Sequence, residues 1–371
     1  MAAGTQSVTI TYVRAGVTKT ATVAVAVRTL DHIAVTTPPN KTAYKYGETF
    51  QPAGMVVTAY YTDETSRAVT GYTYSPTGAL ATGNTTITVS YAEGGVTKTD
   101  TQAITVTAIS NTLNSNSWAT IKAVSDAGQG DNYWDVGDTK QITINGKVGN
   151  TNISNLAINV FIIGFNHNAS REGSNRIHFK IGKIGNTQVG LCDSEYGNYT
   201  STSGAFTMNT SNTNSGGWGS SQMRSKVLGS ASSPTSPTAN TLMAALPSDL
   251  RAVMKSCTKY TDNKGGSNTA SNVSSTTDYL FLLSEYEVFA THQYCNDAEP
   301  NYQAQYDYFK ADTSKVANKH SATGTAAVWW LRSPNYNNIN NNNYFCAVSS
   351  SGSLDYNNAN NAYGVVPGFV V

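Results

Sequence analysis

The chain has 371 residues, of which 13% are charged, and its 24 Lys and Arg against 23 Asp and Glu leave a formal net charge of +1. A soluble domain usually carries about 25% charge, so this balance excludes a basic nucleic-acid binder and an acidic solvating chain, and 39% hydrophobic residues exclude a disordered one. No run of about 18 apolar residues offers a membrane-crossing helix, and neutral groups carry the solubility instead: 37 Asn, 22 Tyr and 31 Gly.

The first element is a repeat. Residues 4–27, GTQSVTITYVRAGVTKTATVAVAV, align without gaps on residues 83–106, GNTTITVSYAEGGVTKTDTQAITV, with 11 of 24 positions identical and the string GVTKT common to both. Each copy reads as a hairpin, with alternating β-branched residues around a turn at Ala15-Gly16 or Gly94-Gly95. Between them, 31–37, 54–63 and 67–76 are rich in Val, Thr and Tyr and broken by Pro, Gly and Asp, the pattern of short strands. The separation of the two copies is that of one small β-sandwich domain. The stretch YKYGETF…GMVVTAYYTD…VTGYTYSP…TGNTTITVSYAEGGVTKT resembles a bacterial immunoglobulin-like repeat. The expected organisation is a tail fragment of a truncated repeat (1–27), an Ig-like β-sandwich (28–108) acting as a spacer, and a third region (109–371). MAAGTQSVTITY lacks the basic start and apolar core of a secretory signal, as a cut chain would.

From Asn111 the pattern changes. Ser117 caps an expected helix with Trp118, Ile121 and Val124 on one face. Residues 136–146, 156–165 and 176–182 read as strands, 218–229 and 242–256 as helices, and 278–290 as a buried strand entering a short helix. Ser/Thr/Asn/Gly tracts at 197–216 and 230–241 read as long loops, and the region as α+β. The four cysteines, Cys192, Cys257, Cys295 and Cys346, form no C-x-x-C pair and read as small buried hydrophobes. No nucleophile elbow, phosphate loop, H-E-x-x-H or dinucleotide fingerprint occurs, so no enzyme is expected. His178 reads as an ordinary strand position. Asp131, Asp135 and Asp138 read as turn and cap residues rather than calcium ligands. Neither a metal nor another cofactor is expected.

The C-terminus is the informative segment. Asn fills 11 of the positions from Asn335 to Asn361, between the apolar blocks VWWL and GVVPGFVV. Apolar flanks predict a pair of loops on a scaffold rather than a disordered tail. Within 345–351, Ala347, Ser349 and Ser351 share one face of a strand. Tyr with Asn and Ser is binding-loop chemistry, since Tyr supplies contact area at little entropic cost and Asn and Ser adapt their hydrogen bonds.

WWLRSP (329–334), the Asn tract, FCAV-S-SSG-SL and GVVPGF (364–369) together resemble the variable region of diversity-generating retroelement target proteins. The likeness extends upstream through WATIKAVSDAG, DNYWDVGDTKQITING, GGWGSSQMRSKVLG, LMAALPSDLRAVMKSCTKYTD and TTDYLFLLSEYEVFA. It implies a multidomain chain in which the β-sandwich is followed by an α+β, C-type-lectin-like domain with a variable region at about 335–363. It also implies a reason for the asparagines: error-prone copying at adenines turns AAY codons into many residue types, and unmutated positions stay Asn. The expected variable, ligand-contacting positions are Asn335, Tyr336, Asn337, Asn338, Ile339, Asn340, Asn341, Asn342, Asn343, Tyr344, Ala347, Ser349, Ser351, Asp355, Tyr356, Asn357, Asn358, Asn360, Asn361 and Tyr363. The expected scaffold is Trp329, Trp330, Arg332, Phe345, Cys346, Val348, Gly364, Pro367 and Phe369, with Gly352, Leu354 and Gly368. The implied function is hypervariable recognition of a protein or glycan on a target cell, displayed on a virion or bacterial surface, without nucleic acid or membrane insertion. The alternative is a fixed-specificity lectin or adhesin with a calcium-assisted glycan site.

Overall fold

Alternating β-branched residues make hairpins where glycine-bearing turns reverse them, and both copies of the repeat do so. β1 (Gly4–Arg14) and β2 (Val17–Val27) pair antiparallel around Ala15 and Gly16, at φ 48° and 81°. These positive angles are what a tight hairpin turn requires. A computed structural model describes residues 4–311, 313–336 and 342–371, divided into a unit ending at Ile109 and one beginning at Ser110.

In the first unit follow β3 (Leu30–Thr37), β4 (Ala43–Lys45), β5 (Val56–Tyr61), β6 (Ser66–Val69), β7 (Thr73–Ser75), β8 (Thr86–Glu93), β9 (Val96–Ala103) and β10 (Thr105–Thr107). They form two three-stranded sheets, β3-β5-β6 and β7-β8-β9, with β4 and β10 paired in parallel. Period two puts Val57, Ala59 and Tyr61 of β5 and Ile87 and Val89 of β8 into one core with Leu30, Ile33, Phe50 and Ile104. The Asp100 carboxylate accepts the Val35 amide at 2.7 Å, tying β9 to β3.

In the second unit the helix α1 (Trp118–Asp126) starts where expected, because the Ser117 hydroxyl accepts the Thr120 amide at 3.1 Å. Its buried face is Trp118, Ile121 and Val124. The main sheet runs β11 (Thr139–Val148), β12 (Thr151–Phe165), β13 (Ile177–Ile184), β14 (Thr187–Gly190), then, past β15 (Cys257–Asp262) and β16 (Val273–Asp278), which pair with each other, β17 (Ala317–Lys319) and β18 (Ala322–Ala327). β19 (Trp329–Pro334), β20 (Tyr344–Val348) and β21 (Leu354–Asn358) form a separate three-stranded sheet, and β22 (Gly368–Val370) returns to pair with β13. Phe369 stacks on Phe179 at 5.2 Å under Trp118, and the Val371 carbonyl accepts from Ser125 and Ile177.

Three expectations change on folding. Residues 218–229 break at Ser221 into Gly217–Ser220 and a wide turn, Met223–Leu228. Buried Asp278 decides this, accepting Trp218 Nε1 at 2.9 Å and Arg224 Nε at 2.8 Å. The 242–256 helix shrinks to Leu242–Ala245 and Ser248–Arg251, since the residue before Pro247 is extended. Residues 280–283 are fully buried, as expected of a core strand, yet pair with β22 only at Phe281.

Candidate functional site: a tyrosine and asparagine surface on a three-stranded sheet

β20 is the middle strand, bonded to β19 on one side and β21 on the other, with Tyr344 opposite Asn358, Cys346 opposite Tyr356 and Ala347 opposite Asp355. From Phe345 to Val348 it is fully buried, and so are Trp329, Trp330 and Arg332 of β19. The indoles have fixed partners: Trp329 Nε1 donates to the Lys315 carbonyl at 2.9 Å and Trp330 Nε1 to the Phe206 carbonyl at 3.1 Å. Gly364, Pro367 and Phe369 are buried too.

Beneath β19 lies a buried ladder of charges. Arg332 grips Glu287 with both terminal nitrogens, Nη2 lying 2.9 Å from Oε1, and its Nε reaches Thr261 Oγ1 at 2.6 Å. Glu287 also accepts from Lys259 at 3.0 Å, and Lys259 reaches Glu172 at 2.7 Å and the Tyr306 hydroxyl at 2.8 Å. Burial alone would raise the Glu287 carboxyl, but Arg332 and Lys259 outweigh it and hold it well below the usual carboxylate range. Glu287 also closes a capping box with Ser284 at the start of α2 (Glu285–Phe289). Two groups of donor atoms in this layer lie at ligand spacing, Glu172 with His178 and Cys257, and Glu172 with His167 and Glu287. The Lys259 ammonium already occupies the cation position between the carboxylates. His178, expected as an ordinary strand position, is fully buried with Nδ1 3.2 Å from the Tyr306 hydroxyl. Asp138 accepts the Asp135 amide at 3.0 Å, the turn role expected of it.

Glu285 points the other way from Glu287. Its carboxylate accepts the amides of Gln293, Tyr294 and Cys295, the last at 2.7 Å, and Cys346 Sγ lies 3.4 Å away. This holds Tyr294 beside the sheet. Burial, then the neighbouring Glu285 carboxylate, pushes the Cys346 thiol well above its ordinary range, so it is a poor nucleophile at neutral pH. All four cysteines are buried and unbridged.

The outer surface is aromatic and mostly neutral, with Asp355 a charged member. Tyr356 meets Tyr294 edge-on at 5.0 Å and Tyr344 at 5.1 Å. Tyr363 packs on Trp330 at 5.3 Å and Tyr196 at 5.7 Å, while its hydroxyl donates to Asn357 and accepts from Asn361, each at 3.1 Å. Asn358 donates to the Tyr199 hydroxyl at 3.1 Å and accepts from Asn212 at 2.8 Å. Tyr196, Tyr199, Asn212 and Tyr294 were not singled out in the sequence. They come from loops far away along the chain, and only an aromatic in a polar loop, such as Tyr199 at 66% exposure, hints at them.

The expected contact residues fall into three groups. Asn342, Asn343, Tyr344, Ser349, Ser351, Asp355, Tyr356, Asn357, Asn358, Asn360 and Tyr363 are exposed or half-buried. Ala347, Asn335 and Asn361 are 0%, 2% and 5% exposed. Ala347 is corrected here: central in its sheet, it presents no side chain to a ligand. Asn335 is buried because its amide pairs with the Tyr344 carbonyl at 3.0 Å, and Tyr336 is half-buried with its amide on the Tyr294 carbonyl at 2.7 Å. Asn337, Asn338, Ile339, Asn340 and Asn341 lie outside the described residues.

Residues 37–108 match the family of bacterial Ig-like domains (group 3), and this N-terminal stretch is an Ig-like β-sandwich. Residues 199–371, which include β19 to β21 but not Tyr196 or Glu172, match a domain of unknown function (DUF6273). No curated protein matches the chain.

Proposed function

We propose that residues 110–371 are a C-type-lectin-like binding module whose contact surface is the tyrosine and asparagine face around β20 and β21, diversified by a retroelement and displayed on a phage or bacterial surface. The Ig-like unit serves as a spacer. The ligand is a protein or glycan of a target cell, bound without a catalytic step.

One observation carries the reading. The described part of the asparagine-rich segment, residues 335–336 and 342–361, folds over a layer of buried side chains. The Oδ1 atoms of Asn360 and Asn361 are buried and accept no hydrogen bond from the described residues. A side chain selected for stability would be satisfied there; one left by an unmutated template codon need not be. A rigid base under an adaptable surface is also what a randomised site requires. The return of β22 to β13 beside α1, with the binding sheet built from the long excursion between them, supports the lectin-like reading of the fold.

The test is the neighbouring DNA and related loci. The expected finding is a near-copy of codons 329–369 differing only at adenines, beside a reverse transcriptase gene. Invariant residues at 335–363 across related isolates would sink the diversification. A recognised ligand should bind with weak salt dependence, because the surface is built mostly from neutral groups.

A further inference from the structure

Of the 37 asparagines in the chain, Asn145 alone is followed by glycine. Those of the tract from Asn335 to Asn361 precede Tyr, Ile, Ala or another Asn. The neighbour matters because an asparagine side chain can close on the next residue's amide nitrogen, and a Cβ on that residue obstructs the approach.

The fold keeps this pair in place and presents it to water. Asn145 is exposed near the end of β11, where the ladder to β12 slips. Ile144 faces Leu156 and Gly146 faces Ile153, so Asn145 lies across from Ser154 and Asn155 with no paired residue. Gly146 stands at φ 142°, which residues with a side chain rarely adopt. Asn155, at φ 46°, donates its amide to Asn145 Oδ1 at 3.2 Å. The side-chain carbonyl is thereby held, and an N–H already points at the oxygen that turns negative when a nucleophile adds to Cγ. Serine follows Asn114, Asn116 and Asn214. The Asn114 Oδ1 also accepts an amide, from Gln141 at 2.9 Å, but the Ser115 amide that would attack already donates to the Thr112 carbonyl at 3.0 Å. Asn116 and Asn214 are 7% and 0% exposed.

We propose that Asn145 is a self-modification site: in the folded chain its side chain closes on the Gly146 nitrogen and ends as aspartate and isoaspartate, while the asparagines of the contact face persist. The Gly146 nitrogen passes its proton to solvent base and attacks Asn145 Cγ, with charge gathering on Oδ1 beside the Asn155 N–H. The bond from Cγ to the side-chain nitrogen breaks, and that nitrogen takes up a proton and leaves as ammonia. Water then opens the cyclic imide. Opening at the side-chain carbonyl gives aspartate in an unaltered main chain; opening at the main-chain carbonyl gives isoaspartate. Either product puts a carboxylate where the Asn145 amide stood, and isoaspartate lengthens β11 by a methylene where its register slips. β11 belongs to the main sheet and not to β19–β21, so the proposal is independent of the binding function.

Incubation of the whole chain at mildly alkaline pH, followed by peptide mapping that separates the Asn, Asp and isoAsp forms, tests it. The peptide holding Asn145 should convert at least about tenfold faster than any other asparagine peptide, with isoaspartate among its products. Asn145→Gln, which would need a larger ring, should abolish the conversion. In the unaltered chain the rate should stay constant in urea below the unfolding transition. No conversion at 145, or earlier conversion within 335–361, would overturn the proposal. So would a rate that follows the unfolded population as urea is added, because the reaction would then belong to the unfolded chain.

Discussion

Lys180 is fully buried on β13, its ammonium 4.7 Å from the Trp329 ring centre and 3.1 Å from Gln188 Oε1, with no carboxylate paired to it among the described residues. Burial, reinforced by Lys183, pushes its pKa down from 10.5 to about 7. The unfolded chain then holds the extra proton between those two values, so this residue makes stability rise with pH across that window. Lys180→Met should stabilise by on the order of 1–4 kcal/mol below pH 7, and the gain should shrink toward nothing near pH 10.5. Urea unfolding at about pH 6 and pH 9.5 checks it; an equal gain at both would contradict the assignment. Arg332 behaves oppositely. Its removal leaves the Glu287 carboxylate buried with Lys259 alone, so Arg332→Met should cost about 3–5 kcal/mol, read as a fall in Tm. The sequence pointed to Arg332 as scaffold from its place in WWLRSP, but nothing local marked Glu287 as its distant partner. Pair identity across such a separation is a property of packing.

At the scale of elements, the buried middle strand β20 and the outer strand β21 should respond differently to substitution. Phe345→Ala should cost about 3–5 kcal/mol, whereas Asn357→Ser and Asn360→Ala should stay within about 0.5 kcal/mol, measured by thermal or denaturant unfolding. Comparable losses on both strands would show that the asparagines serve the fold. The loop after α2 offers a sharper check, because one carboxylate holds it. Glu285→Ala strips the acceptor from three amides at 293–295, and Tyr294 should leave Tyr356. Loss of the Tyr294–Tyr356 ring contact by NMR, with α1 unchanged, is the expected result. Hairpins and α1 were legible because period and capping are local signals. The helices expected at 218–229 and 242–256 were not, because Asp278 and the turn before Pro247 override modest helical propensity.

At the scale of the molecule, the division at 109/110 means that residues 110–371 carry their own core, closed by β22 on β13. Expressed alone, they should unfold with the midpoint they have in the full chain, and calorimetry of the full chain should resolve a separate transition for the Ig-like unit. A shift of several degrees on excision would argue against independent folding.

Composition, repeat and pattern pointed from the sequence alone to a multidomain chain, a small β-sandwich ahead of an α+β region, and marked 335–363 as an unusual tract. The resemblance to bacterial Ig-like repeats identified the sandwich within 28–108. These follow from signals a few residues long or from identity between segments. Tertiary structure alone decided which of the marked residues reach solvent, turning Ala347 inward and leaving Tyr356, Asn357 and Asn358 beside Tyr294, Tyr199 and Asn212. Exposure of a side chain depends on what distant segments lay over it, and no local period records that.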